Sequence, residues 1–171
     1  LNAADAHQIA DPLGRIAFGQ MARAWRENFP IPVVAVTGSN GKTTVKELIA
    51  SILRCRRNIC VTEGNLNNDI GVPLTLMALD DEHEALVVEL GANHLGEIDY
   101  LSRLVQPTVG VITNACAAHL EGFDSITGVA TAKGELLDHL PLAGTAVINA
   151  DDDFCADWRA RSQAEIVLTF G

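Results

Sequence analysis

The sequence predicts an α/β fold built on a mainly parallel sheet flanked by helices, and three observations predict it. Short apolar runs alternate with longer amphipathic stretches along the chain. Most of those runs lack the polar alternation of a half-buried strand, so they are expected to be covered on both faces, as parallel strands are. The composition agrees, with 48% hydrophobic residues but only 5% aromatic, which suits a sheet of small aliphatic side chains.

Taken in order, residues 1–12 carry little pattern. Residues 13–28 read as an amphipathic helix with Ile16, Met21, Ala24 and Trp25 as its packing positions, and Pro30 and Pro32 end it. Strands are expected at 32–37, 58–62, 84–90, 108–113, 144–149 and 165–170. Helices are expected between them at 42–55, 70–79, 96–105, 125–140 and 152–161. This alternation of strand and helix is the mark of a parallel sheet. Ligands bind such sheets at the carboxyl ends of the strands. Polar residues gather there: Thr37-Gly38 after Val36, Glu89 after Val88, Thr113-Asn114 after Ile112, and Asn149 with Asp151 after Ile148.

At 171 residues the chain has the length of about one domain. Its net charge of −10 disfavours nucleic acid or an anionic membrane surface as a partner. The densest basic run, Arg54-Cys-Arg-Arg57, falls at an expected helix end, where cations suit the helix dipole. Cys55, Cys60, Cys116 and Cys155 are scattered and form neither a metal-site spacing nor a disulfide framework, so a reducing cytoplasm is the expected compartment. No apolar run reaches the ~20 residues of a membrane span. The chain opens on Leu1 and closes on the strand-like Glu165–Gly171, so a fragment of a longer protein is expected.

The stretch Val33-Val-Ala-Val-Thr-Gly-Ser-Asn-Gly-Lys-Thr-Thr-Val45 is the most informative. Four apolar residues run into a glycine-rich loop two residues shorter than the usual G-x-x-x-x-G-K-[ST] phosphate loop. Gly38 and Gly41 allow a tight turn whose N–H groups point at phosphate, and the helix behind adds its positive end. Lys42 supplies a charge for the β- and γ-phosphates, and Thr43 a hydroxyl for Mg²⁺. Glu89 is the expected carboxylate partner for that ion, since a Glu closing a buried strand is costly unless paired; a Glu exposed at the strand edge is the alternative. There is no G-x-G-x-x-G, so a dinucleotide fingerprint is not supported.

In the helix expected at 125–140, a 100° step puts Ile126, Val129, Ala130, Leu136, Leu137 and Leu140 in one stripe, and Lys133 lies inside it. Its stem could simply snorkel along apolar surface. Held inward instead, it would have a lowered pKa, and a neutral amine can take up CO₂ as a carbamate able to bind a second metal. His119 follows the 108–113 strand and reads either as a structural hydrogen-bonder or as part of the same crevice.

Gly38, Ser39, Asn40, Gly41, Lys42, Thr43 and Thr44 together resemble the shortened phosphate loop of the Mur ligases, the ATP-dependent amide-forming enzymes of bacterial peptidoglycan synthesis. Gly64-Asn-Leu-Asn-Asn-Asp-Ile-Gly-Val-Pro-Leu74, Glu89-Leu-Gly-Ala-Asn-His-Leu-Gly-Glu97 and Ala117-Ala-His-Leu-Glu-Gly-Phe123 are similar to the branch that joins D-alanyl-D-alanine to UDP-N-acetylmuramoyl-tripeptide. The resemblance runs from about residue 11 to the end. It implies a central ATP-binding domain at 31–171, incomplete at its C-terminal end, after the tail and linker helix of an upstream domain at 1–30. It implies one Mg²⁺ held by Thr43 and Glu89 with the ATP phosphates, and a second held by His119 and carbamylated Lys133. Lys42, Lys133 and His119 would be the catalytic residues. Asn149 would stand on the adenine side, and Asn65, Asn67, Asn68, Asn93 and His94 along the path of the muramyl peptide. The reaction implied is carboxylate activation as an acyl phosphate, followed by amine attack, in cell-wall building and hence in cell shape and division. Domains of the family on either side grip the amino-acid partners, so little turnover is expected from this chain alone. Two competing expectations are another ligase of the superfamily, similar to folylpolyglutamate synthetase, and a nucleotide-binding module without ligase chemistry, which would have no use for Lys133 or His119.

Overall fold

The computed structural model describes residues 11–116 and 120–171, with the side chains of residues 120 and 121 left aside. Its elements are α1 (Pro12–Arg26), β1 (Val33–Thr37), α2 (Lys42–Arg54), β2 (Ile59–Val61), α3 (Gly71–Met77), β3 (Ala85–Glu89), α4 (Glu97–Val105) and β4 (Val109–Ile112). There follow α5 (Leu120–Phe123), α6 (Ile126–Gly134), a 3₁₀ turn (Glu135–His139), β5 (Thr145–Asn149), α7 (Cys155–Arg161) and β6 (Ile166–Phe170). The strands form one six-stranded sheet in the order β2-β3-β1-β4-β5-β6, and every pairing is parallel. The fold class is therefore the one the sequence predicts.

The two faces of the sheet are covered unequally. Leu86 and Val88 of β3, Val33 and Ala35 of β1, Ile112 of β4 and Ile148 of β5 pack into a large core with α1, α3, α4, α6 and α7. On the other face α2 packs Ala50 against Ile59, Ala85 and Val87. Buried on both sides, β3 is an uninterrupted apolar run up to Glu89, as expected for an inner parallel strand. β6 departs from that expectation. Ile166, Leu168 and Phe170, alternate residues that share one face, are all exposed, because among the described residues no helix covers that end of the α2 face.

Two helices differ from the sequence reading. In α1 the residues expected to pack, Ile16, Met21, Ala24 and Trp25, are exposed, and Gly19, Ala22 and Arg26 are buried instead. Arg26 takes the inner face because its guanidinium serves three carbonyls, donating to Val105, Phe29 and Ile31. Trp25 lies at the edge, with its ring N–H on the carbonyl of Leu79 at 3.0 Å. The helix expected at 125–140 is α only to Gly134. It tightens there into the 3₁₀ turn, and the Glu135 carboxylate meets the N–H groups of Gly96 at 2.8 Å and Asp99 at 2.9 Å at the start of α4. Ile126 is exposed, whereas Val129, Ala130, Lys133, Leu136, Leu137 and Leu140 are buried.

Candidate functional site

β3, β1, β4 and β5 are consecutive neighbours, and their carboxyl ends stand side by side. The registers pair Val36 with Glu89, Thr37 with Ile112, and Ile112 with Ile148. The chain leaves β1 outward to β2, returns to β3, then passes to β4 on the far side of β1, so the crevice opens where the winding reverses direction. That is where open α/β sheets bind ligands.

The loop after β1 is shaped by its glycines. Gly38 has φ 141° and Gly41 φ 78°, and a Cβ on Gly38 would run into Thr113 Oγ1. The end of β4 buttresses the loop. Ser39 N donates to the Asn114 carbonyl at 2.9 Å and Asn40 N to Asn114 Oδ1 at 3.0 Å. Thr113 Oγ1 returns a bond to the Asn40 carbonyl at 2.7 Å. Gly41 is the N-cap of α2 and brings no side-chain cap, so the N–H groups of Lys42, Thr43 and Thr44, in the first helical turn, remain for an anion. Lys42 folds over the loop, its Nζ donating to the Gly38 carbonyl at 2.9 Å and the Ser39 carbonyl at 3.1 Å. Burial lowers its pKa, and Glu89 opposes that shift.

Glu89 is 2% exposed. Its Oε2 accepts from the Thr43 hydroxyl at 2.8 Å, and its Oε1 from Asn67 Nδ2 at 2.8 Å. Its backbone N–H donates to Thr62 Oγ1 at 3.0 Å. Both carboxylate oxygens are thus held by neutral donors, and among the described residues no cation lies in salt-bridge range. A buried carboxylate in that state has capacity for a metal ion.

A cavity of about 940 Å³ opens beside this cluster, and Ser39, Lys42, Asn67, Asn93, Glu97 and Lys133 are among its lining residues. Lys133 is 3% exposed. Among the described residues its Nζ has one long bond, to the Ala92 carbonyl at 3.4 Å, and it lies 5.4 Å from the centre of the Phe123 ring. Burial first, and the nearby charge of Lys42 second, pull its pKa from 10.5 to about 8, against an upward pull from Glu97 and Glu135. The lysine is turned inward rather than snorkelling.

The other candidates divide. Asn68 lines the cavity but spends its side-chain oxygen on the N–H groups of Ile70 and Gly71 at the start of α3. Asn93 lines it too, on a loop drawn in by Glu97, which accepts from the N–H groups of Asn93 and His94. His94 is largely exposed and pairs with Glu97 at 3.1 Å. Asn65 is exposed, off the cavity lining. Asn149 is engaged at both ends of its amide, with the Thr113 carbonyl and the Asp151 N–H, each at 3.0 Å. His119 lies outside the described residues. Sequence reasoning missed Thr62 and Lys46. The stripe test that found Lys133 would have found Lys46, which lies four residues before the inward-facing Ala50.

The family described as the Mur ligase middle domain matches residues 36–171. This chain belongs to the Mur ligase family. It is 51% identical over 146 residues to the UDP-N-acetylmuramoyl-tripeptide–D-alanyl-D-alanine ligase of Escherichia coli K12, covering 85% of this chain and 32% of that one. Among solved structures it is similar to MurF from Acinetobacter baumannii, with a TM-score of 0.89 and 45% identity over 92% of this chain and 35% of that one. It is also similar to the MurF ligase of Thermotoga maritima in complex with ADP, with a TM-score of 0.85, 33% identity, and coverage of 92% and 36%. The chain spans about a third of the length of the curated relatives it matches. Among the described residues of this Mur ligase middle domain, no helix is long and apolar enough to cross a membrane.

Proposed function

We propose that this Mur ligase middle domain is the ATP- and metal-binding core of a ligase that joins D-alanyl-D-alanine to UDP-N-acetylmuramoyl-tripeptide in bacterial peptidoglycan synthesis. The observation that carries the reading is Glu89, a buried carboxylate at the end of β3 that, among the described residues, is held by the side chains of Thr43, in the first turn after the glycine-rich loop, and Asn67. Thr43 and Glu89 would hold Mg²⁺ at the nucleotide phosphates, and His119 with a carbamate on Lys133 a second ion, where the metals supply charge neutralisation for phosphoryl transfer.

The chain's own residues account for the rest. The loop N–H groups and Lys42 orient the triphosphate of ATP and offset its charge. The terminal carboxylate of the tripeptide attacks the γ-phosphorus, the bond to the β–γ bridging oxygen breaks, and ADP leaves. The amine of D-alanyl-D-alanine then attacks the acyl carbon, loses a proton, and expels phosphate. Asn67, Asn68 and Asn93 line the cavity through which the muramyl peptide would reach Lys42, while Asn65 and His94 are exposed outside that lining. Asn149 closes the nucleotide side. A partly neutral Lys133 amine near pH 8 suits carbamate formation, in which an N–C bond to CO₂ forms and a proton is released.

The test uses the full-length enzyme that contains this segment and a tripeptide whose terminal carboxylate carries an oxygen isotope. Transfer of one labelled oxygen into the released phosphate is the expected result. Amide formation with no label in phosphate would exclude the acyl phosphate. The isolated chain should give little or no amide product.

A further inference from the structure

Lys46 has no part in the chemistry above, yet it is completely buried. A leucine or methionine would fill that face of α2 without taking a charge out of water, which is costly unless every donor is matched. Here all three are matched: Nζ donates to the Thr62 carbonyl at 2.8 Å, to the Gly64 carbonyl at 3.4 Å, and to the half-exposed Glu47 carboxylate at 2.8 Å.

The use of the charge lies in what those bonds hold. Lys46 is three residues after Thr43, so the two reach the same side of α2. Thr62 follows β2, and its hydroxyl accepts the Glu89 N–H. Gly64 opens the segment carrying Asn67, which binds the second oxygen of Glu89. One ammonium therefore ties together the helix that bears Thr43, the threonine that fixes the Glu89 backbone, and the loop that bears Asn67.

We propose that Lys46 is a positioning residue for the metal-side carboxylate, pinning Thr62 and Gly64 to the nucleotide-binding helix so that Glu89 and Asn67 meet Thr43 in one arrangement. The proposal rests on the reading of Glu89 as a magnesium holder. Partners around a metal ligand typically change metal affinity by roughly 10–100-fold when removed.

The experiment compares the wild-type chain with Lys46→Met, Thr62→Val and Thr62→Ser. ADP is titrated with and without Mg²⁺, and the ratio of the two dissociation constants is read. Lys46→Met and Thr62→Val should each lower the magnesium enhancement by roughly tenfold, with metal-free ADP affinity little changed, while Thr62→Ser keeps it. A merely structural lysine would weaken ADP equally with and without metal. Amide hydrogen exchange of the same proteins, without any ligand, is the second readout. Glu89 and residues 62–68 should exchange faster in Lys46→Met and Thr62→Val than in wild type, relative to the other β3 amides. Unchanged Glu89 protection in both variants would overturn the proposal whether or not nucleotide binds. Glu89 protection that falls as expected, with no magnesium enhancement even in wild type, would overturn the metal reading of Glu89 and with it the metal role of Lys46.

Discussion

Lys46 and Lys133 are both buried, on helices packed against opposite faces of one sheet, and their surroundings differ in one respect. Lys46 has an acceptor for each of its three protons, two of them backbone carbonyls. Among the described residues Lys133 has one long bond, an aromatic ring nearby, and another cation in the vicinity. A satisfied buried ammonium is part of the architecture. An unsatisfied one is a strained group whose relief comes from losing its proton or gaining a negative substituent. On the function proposed above, the same residue type holds the site together in one place and is poised for chemistry in the other.

The sharpest way to break that comparison is to make one substitution at both positions. Lys46→Met should lower stability by roughly 3 kcal/mol or more, because it strands the carbonyls of Thr62 and Gly64. Lys133→Met, in buffer stripped of CO₂, should raise stability at pH 7 by about 3 kcal/mol, the free-energy equivalent of the pKa difference. Chemical denaturation of both variants checks the opposite signs.

The pH dependence of the second effect follows from linkage. The folded pKa of Lys133 is about 8 against an ordinary 10.5. Between those values the native state binds fewer protons than the unfolded one, so wild-type stability gains with rising pH. The advantage of Lys133→Met should therefore be complete below pH 8 and gone above about 10.5. An advantage that stays constant over that range would mean that burial does not lower the Lys133 pKa, since folded and unfolded chains would then bind the same number of protons.

Two smaller effects refine the picture. Gly38→Ala should cost roughly 1–3 kcal/mol, since φ 141° is a glycine conformation and the new methyl meets Thr113. It should also reduce nucleotide affinity by displacing the loop. Glu47→Gln removes the charge of the half-exposed partner of Lys46 and Arg54 but leaves an amide oxygen to accept, and should cost less than about 1 kcal/mol in the same denaturation assay.

The strand ends and the phosphate loop were legible because they are local. Val33–Thr37 followed by a Gly-rich turn needs no tertiary information to be read, and the six strands stand within a residue or so of the expected bounds. The inward face of α1 was not legible. An arginine outcompetes Ile16, Met21 and Trp25 for burial only because the carbonyl of the distant Val105 converges on it with those of Phe29 and Ile31, just beyond the helix end. The break at Gly134 was hidden for a similar reason: Glu135 turns toward the start of α4, almost forty residues earlier in the chain. Asn67 was expected along the peptide path, and its bond to Glu89 depends on a loop meeting a strand end. Thr62 escaped notice altogether, because a threonine closing a short strand has no pattern of its own.

The reading proposed for the loop after β1 is that it and Lys42 hold the nucleotide phosphates. Calorimetric titration of Mg·ATP into this chain, beside Lys42→Ala, tests it most directly. The account predicts binding by the wild-type chain and its loss in the variant. Equal binding by both, or heat from neither, would contradict it.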